Sequence, residues 1–343
     1  MPYDGITIRF KDKDNAKVHS NFTVNETALL AEMMPIKGKL KKVTANWVII
    51  NAESTAPFKD WDRIVLPNWR KLARSARAVG LTGVYLDTED YGAEGGGRCV
   101  WWSNKVAGGH MCPDSNPATW GCSHPPYPGA PACPAMRQCR AEAVAAGKAL
   151  MAAVVEEWPT ARIMTTFGPW LSSNRTAPAL NPPTYTFNYK LHPIVGSFGV
   201  GLLAGTIGTQ ALYVDGAEMY TQNTPTDVSR MRSWLKDGMA HEPNVIAANI
   251  TSSVYSQYLT FGPGVYDFPG KFQGKGPGSA AQWQNDLTIS LNGTDRGGVT
   301  WAYSERFDWF GRGDWKPNVP ADYVAATVAA RKAVETQSPV KEV

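Results

Sequence analysis

The 343 residues are 43% hydrophobic and carry a net charge of +4. That composition supports a sizeable core, in one large domain or two ordinary ones, and the charge is too mild and scattered for a nucleic-acid partner. No apolar run approaches the roughly 20 residues that span a bilayer, so no membrane partner is expected.

In chain order the pattern alternates strand and helix. "GITIRF" (5–10) reads as a short β-branched strand. "TVNETALLAEMM" reads as a helix opened by a capping box, Thr23 with Glu26, and ended by Pro35. "VTANWVIIN" (43–51) is a buried strand. "NWRKLARSARAVG" then puts Trp69, Leu72, Ala73, Ala76 and Val79 on one helical stripe, with Gly80 as its stop. "LTGVYLD" (81–87) is the next strand, and residues 90–133 form a long irregular excursion. A strong helix follows from Pro134, then a strand at 161–167. The stretch 169–210 has no clear element. Strands are predicted at 211–216, 244–254 and 297–305, each followed by a helical segment. An eighth strand is expected near 195–204 or ahead of the first residue.

Continuous apolar strands separated by helices predict a parallel sheet buried on both faces. The fold expected is a (β/α)8 TIM-type barrel, a single domain over 1–343, with a long cysteine-containing insertion at 90–133 after the strand ending at Glu89. All five cysteines lie between Cys99 and Cys139, in a Gly/Pro-rich setting that predicts disulfide stapling and a secreted or periplasmic protein. No C-x2-C spacing supports a zinc site, and the five histidines show no ligand spacing, so no metal or cofactor is predicted. "GVGLLAG" (199–205) mimics a dinucleotide fingerprint but follows no convincing strand.

The acids carry the chemistry. In such a barrel the strands' carboxyl ends gather at one rim. "GVYLDTE" delivers Asp87 and Glu89, "LYVDGAE" delivers Asp215 and Glu218, and "VTWAYSE" delivers Glu305. "WVIINAE" adds Asn51. Alternation puts Tyr85, Asp87 and Glu89 on one face and Val84 and Leu86 on the other; Trp301, Tyr303 and Glu305 likewise share a face. A single Glu after a strand is ordinarily a helix cap or a solvated loop residue. Three strands with the same ending are better explained by a shared acidic site. Crowded carboxyls split their pKa values, one staying protonated as a proton donor while another attacks or activates water, which is the division of labour in glycoside hydrolysis. Thirteen Trp and thirteen Tyr offer flat faces for sugar rings. Tyr91, Trp101, Trp102, Trp170, Tyr220, Trp301, Tyr303 and Trp309 stand near the expected rim.

"GLTGVYLDTEDYG" (80–92), "YVDGAEMY" (213–220) and "VTWAYSERFDWF" (299–310) resemble strand-end motifs of bacterial proteins assigned as glycoside hydrolases with (β/α)8 barrels. The first has the form Gly-x-x-Gly, three apolar residues, then Asp-x-Glu-x-Tyr. The third has Trp-x-Tyr-x-Glu followed by Trp. The opening "PYDGITI" resembles a second strand in such proteins. If it is one, "GVYLDTE" is the fourth strand, and the resemblance implies Glu89 as acid/base with Glu305 or Glu218 as its partner. Asp-x-Glu on one strand also resembles enzymes in which the substrate's own N-acetyl group attacks, with Asp87 orienting it. The rival expectations are a carbohydrate-binding barrel without catalysis and a polysaccharide lyase.

Overall fold

The structure is a computed structural model that describes residues 3–10, 18–20, 22–37, 43, 45–52, 56–88, 136–169, 193–217, 224–233, 250–267, 278–294, 299–303, 306–307, 309 and 317–337. Six strands form one sheet in chain order: β1 (Thr7–Arg9), β2 (Trp47–Asn51), β3 (Gly83–Asp87), β4 (Arg162–Thr165), β5 (Leu212–Asp215) and β6 (Leu259–Phe261). All five neighbouring pairs are parallel. β7 (Gly264–Tyr266) pairs in parallel with β8 (Trp301–Tyr303). Only Gly262 and Pro263 separate β6 from β7, so one run of backbone leaves β5 and goes on to meet β8. Its joints are Gly262 N–H to the Asp215 carbonyl (2.8 Å) and Trp301 N–H to the Pro263 carbonyl (3.4 Å). A doubly wound sheet reverses its strand order at a switch point; among the described strands the order does not reverse, as in a barrel.

The sheet curls. Between β3 and β8 lie β4, β5 and the β6–β7 run, and strands spaced about 4.8 Å apart would place β8 roughly 19 Å from β3 in a flat sheet. Instead the Tyr85 ring on β3 and the Trp301 ring on β8 have centroids 5.4 Å apart. Trp301 Nε1 also donates to the Gly216 carbonyl just past β5, at 2.7 Å. Trp47, Tyr85, Met164 and Val214 are buried in this interior, with Ile49, Val299 and Trp301 packed against them. Glycines make room for the indoles: a side chain at Gly83 would strike Trp47, and one at Gly264 would strike Trp301. On the opposite parity Val48, Ile50, Val84, Leu86, Ile163 and Tyr213 join the larger core under the helices. Among the described residues no pairing joins β8 to β1. The ends still meet, because Tyr3 packs edge-on to Trp309 (5.4 Å) and Arg331 pairs with Asp4 (2.7 Å).

The helices are α1 (Glu26–Met33), α2 (Val65–Val79), α3 (Met136–Glu157), α4 (Pro193–Thr206), α5 (Pro225–Ser233), α6 (Ser252–Tyr258), α7 (Ala280–Gly293) and α8 (Ala321–Gln337). The predicted stripe of α2 is wholly buried, and Gly80 ends the helix with φ 79°. α5 opens on a reciprocal capping box, Thr224 with Asp227. None of the described residues forms a helix long and apolar enough to cross a membrane.

Three expectations change. The cap of α1 is Asn25, whose side chain accepts from Ala28 N–H, rather than the Thr23–Glu26 box. The strand expected near 195–204 is α4: its residues are apolar all round because it is buried all round, so hydropathy had no period to show. "GVGLLAG" serves helix packing there, since side chains at Gly147 on α3 or Gly201 on α4 would strike the facing backbone. The strand predicted at 244–254 is helical from Ser252, its residues 244–249 lie outside the described ones, and β6 and β7 come later, at 259–266.

Candidate active site

Side chains of the inner parity define the rim at the strands' carboxyl ends. Asn51 ends β2 and Asp87 ends β3, and the two are register partners. Asn51 is half-buried and Asp87 is 6% exposed. Thr166, the first residue past β4, organises this corner. Its hydroxyl lies 3.0 Å from the Tyr85 hydroxyl, donates to Asp87 Oδ1 at 3.3 Å, and accepts the Thr88 N–H at 3.3 Å. Thr88 in turn accepts the Phe167 N–H at 3.2 Å. The ends of β3 and β4 are thereby stitched side chain to backbone, with the Tyr85–Trp301 aromatic pair as the floor below Asp87.

Asp215 ends β5 in the same Tyr-x-Asp spacing but on the other parity. Val214 faces the interior, whereas Tyr213 faces the helix layer, its hydroxyl 2.6 Å from that of Thr165. Burial first, and the Asp215 charge second, hold the Tyr213 hydroxyl well above the usual tyrosine range, so it stays protonated. Thr165 donates to the Phe167 carbonyl, which leaves its oxygen to accept from Tyr213. Asp215 is fully buried, and its Oδ1 accepts the N–H of Ala217, whose φ is 39°. Its carboxylate sits against Gly168, where a side chain would collide with it. Asp215 thus shapes the turn leading toward Glu218.

A third strand-end aspartate, Asp267 after β7, was not anticipated. It is fully buried. Oδ1 accepts the Arg306 N–H at 3.0 Å, and Oδ2 accepts the Phe307 N–H at 3.2 Å and the Trp309 indole N–H at 3.1 Å. Its signal is in the sequence: "VYD" at 265–267 repeats the apolar-to-Asp ending of β3 and β5, but the apolar run at 244–254 draws the predicted strand upstream of it.

Among the predicted substrate contacts, Trp301 lies in the interior as described. Trp309 packs between Tyr3 and Trp283, with ring centroids 5.4 and 5.8 Å away. Tyr303 contributes its backbone to β8, its side chain lying outside the described residues. Glu89, Glu218, Glu305, Tyr91, Trp101, Trp102, Trp170, Tyr220 and the 90–133 insertion lie wholly outside the described residues. Within the described residues the site therefore brings together Asn51, Tyr85, Asp87, Thr166 and Trp301. Such a corner can orient a polar group or a neighbouring carboxyl, and a charge on Asp87 would favour the protonated form of an acid beside it.

This is a curled, parallel α/β sheet with polar groups at its carboxyl rim. No family model matches the chain, and neither does any curated protein. Among solved structures it is similar in outline to a broad-specificity GH5-4 endoglucanase from an uncultured bacterium, with TM-score 0.42, 10% identity, and coverage of 95% of this chain and 80% of that one. It is similar also to a psychrophilic glycoside hydrolase family 10 endo-β-1,4-xylanase, with TM-score 0.39, 11% identity, and coverage of 95% and 96%. Both scores fall below the level that identifies a common fold.

Proposed function

We propose that this chain is a single-domain barrel glycoside hydrolase that cleaves a poly- or oligosaccharide by paired-carboxylate catalysis. The observation that supports it best is the inner-parity corner: buried Asp87, bonded to Thr166 above the Tyr85–Trp301 pair. Glu89 follows Asp87 by one strand repeat, and on this reading it is the proton donor, with Asp87 holding it or the substrate in place. Glu305, or else Glu218, is the second carboxylate, and Asp215 acts from behind through the turn that leads to Glu218. Asn51, Trp301, Tyr303, Trp309, Tyr91, Trp101, Trp102, Trp170 and Tyr220 are the proposed sugar contacts. Secretion and a stapled insertion belong to the same reading, on the clustering of all five cysteines between Cys99 and Cys139.

The test is a reducing-sugar screen over a broad glycan panel with the wild type and Glu89→Gln. Turnover in the wild type, lost by at least about a hundredfold in the variant at unchanged melting temperature, is the expected result. Equal turnover in both moves the acid role to Glu218 or Glu305. Glycan binding without turnover in either makes the protein a binding barrel, and products absorbing in the ultraviolet make it a lyase.

A further inference from the structure

Past β8 the backbone is gripped from two sides at a single residue, Arg306. From one side the Asp267 carboxylate receives both the Arg306 and the Phe307 N–H, and the Trp309 indole as well, all within 3.2 Å. From the other, the Arg306 guanidinium donates to the Gly278 carbonyl ahead of α7 (3.2 Å) and to the Tyr323 hydroxyl on α8 (2.9 Å). It lies 4.6 Å from the Phe307 ring centroid and 5.6 Å from that of Tyr323. A buried carboxylate spent on two successive main-chain N–H groups is an uncommon investment for an ordinary loop. Charged acceptors make the stronger hydrogen bonds, and burial removes the water that would compete for them.

The geometry points to Asp267 and Arg306 as a clamp that positions Glu305, and so to both as positioning residues of the reaction. This rests on the hydrolase reading in which Glu305 is the second carboxylate. Glu305 is joined to Arg306 by one peptide bond, so pinning the Arg306 N–H orients the very peptide plane that Glu305 contributes. Pinning the backbone next to a reacting residue limits how far that residue can shift, and a displacement of about 1 Å at a reacting group costs on the order of a hundredfold in rate. Asp267 stands at the end of β7 and Arg306 reaches the starts of α7 and α8, so the clamp draws on two neighbouring β/α units rather than on the loop itself.

The experiment compares wild type, Asp267→Asn, Arg306→Ala and Glu305→Gln on the best glycan of the screen. Their kcat, KM and kcat–pH profiles are measured alongside amide hydrogen exchange of the 305–309 peptide. Asn keeps the shape of Asp267 but offers one acceptor oxygen instead of two. The expected result is faster exchange at residues 306 and 307 in Asp267→Asn, with kcat down by about tenfold to a hundredfold. KM stays within about twofold, and the pH limb that Glu305→Gln abolishes is displaced. Unchanged exchange overturns the clamp. Faster exchange with a wild-type kcat and pH profile also overturns it, leaving a purely structural bond. Should Asp267→Asn not fold, Arg306→Ala decides alone: a loss in kcat without one in KM supports the clamp, and wild-type kcat sinks it. Failure of the hydrolase reading looks different. A wild type that turns over no glycan removes the hydrolase reading itself, whereas an active wild type matched by Glu305→Gln moves the second carboxylate to Glu218; either way the catalytic meaning of the clamp is overturned whatever the exchange reports.

Discussion

Asp87, Asp215 and Asp267 each end a strand, yet their surroundings divide them by task. Asp87 takes a bond from a threonine hydroxyl on the inner face. Asp215 and Asp267 take main-chain N–H groups and serve the backbone. Gly168 tests this division, because its Cα is what the Asp215 carboxylate packs on. A methyl there must push a buried carboxylate off its hydrogen bond, so Gly168→Ala is expected to destabilise by about 2–3 kcal/mol in urea unfolding. A loss under about 0.5 kcal/mol would mean that the carboxylate moves aside freely, and that the turn toward Glu218 does not depend on it.

Helix ends, at the next scale, are where local chemistry is most directly measurable. Gly80 closes α2 at φ 79° with open space around its missing side chain, so Gly80→Ala meets strain and nothing else. The cost expected from thermal unfolding is about 1 kcal/mol, and Gly80→Asn costs less because Asn tolerates that conformation. Asn25→Ala removes the α1 cap for about 1 kcal/mol, whereas Thr23→Ala is near neutral. The reverse order would restore the capping box expected at Thr23. α2 and the ends of most strands were legible because a side-chain stripe, a glycine stop or a capping residue is local information. α4 was not, since a helix buried on every face carries no amphipathic period.

Across the whole molecule, acid sensitivity follows from where the chain hides its titratable groups. His19 is fully buried among Trp61, Trp69 and Phe198, and its Nδ1 accepts the Trp69 indole N–H at 3.0 Å. Burial holds its pKa down to about 3, from an ordinary 6.5. The unfolded chain therefore takes up a proton below pH 6.5 that the folded chain refuses, so stability falls as the pH drops toward 3. One such group contributes a slope of up to about 1.4 kcal/mol per pH unit. Asp286, half-buried on α7, works the other way: burial raises it to about 6 from 3.8, so its contribution is present at low pH and lost as the pH rises through 6. Urea titrations from pH 7 to 4 should show a shallower acid loss in His19→Gln than in the wild type, and a steeper one in Asp286→Asn. Parallel curves for all three would show that neither group carries the linkage.

The sequence by itself determined that this chain alternates buried strands with helices, and where most of those strands end in acids. Both are written in short-range alternation and in residue chemistry. Only the tertiary structure decided which face of each strand looks inward. In "VYLD" the tyrosine and the aspartate face the interior; in "LYVD" the same spacing turns both toward the helices. No local rule separates the two, because a strand covered on both faces is apolar on both, and its neighbours alone set which parity points to the axis. The meeting of Tyr85 with Trp301, and the grip of Asp267 on the backbone past β8, likewise needed the sheet to curl and join segments hundreds or tens of residues apart.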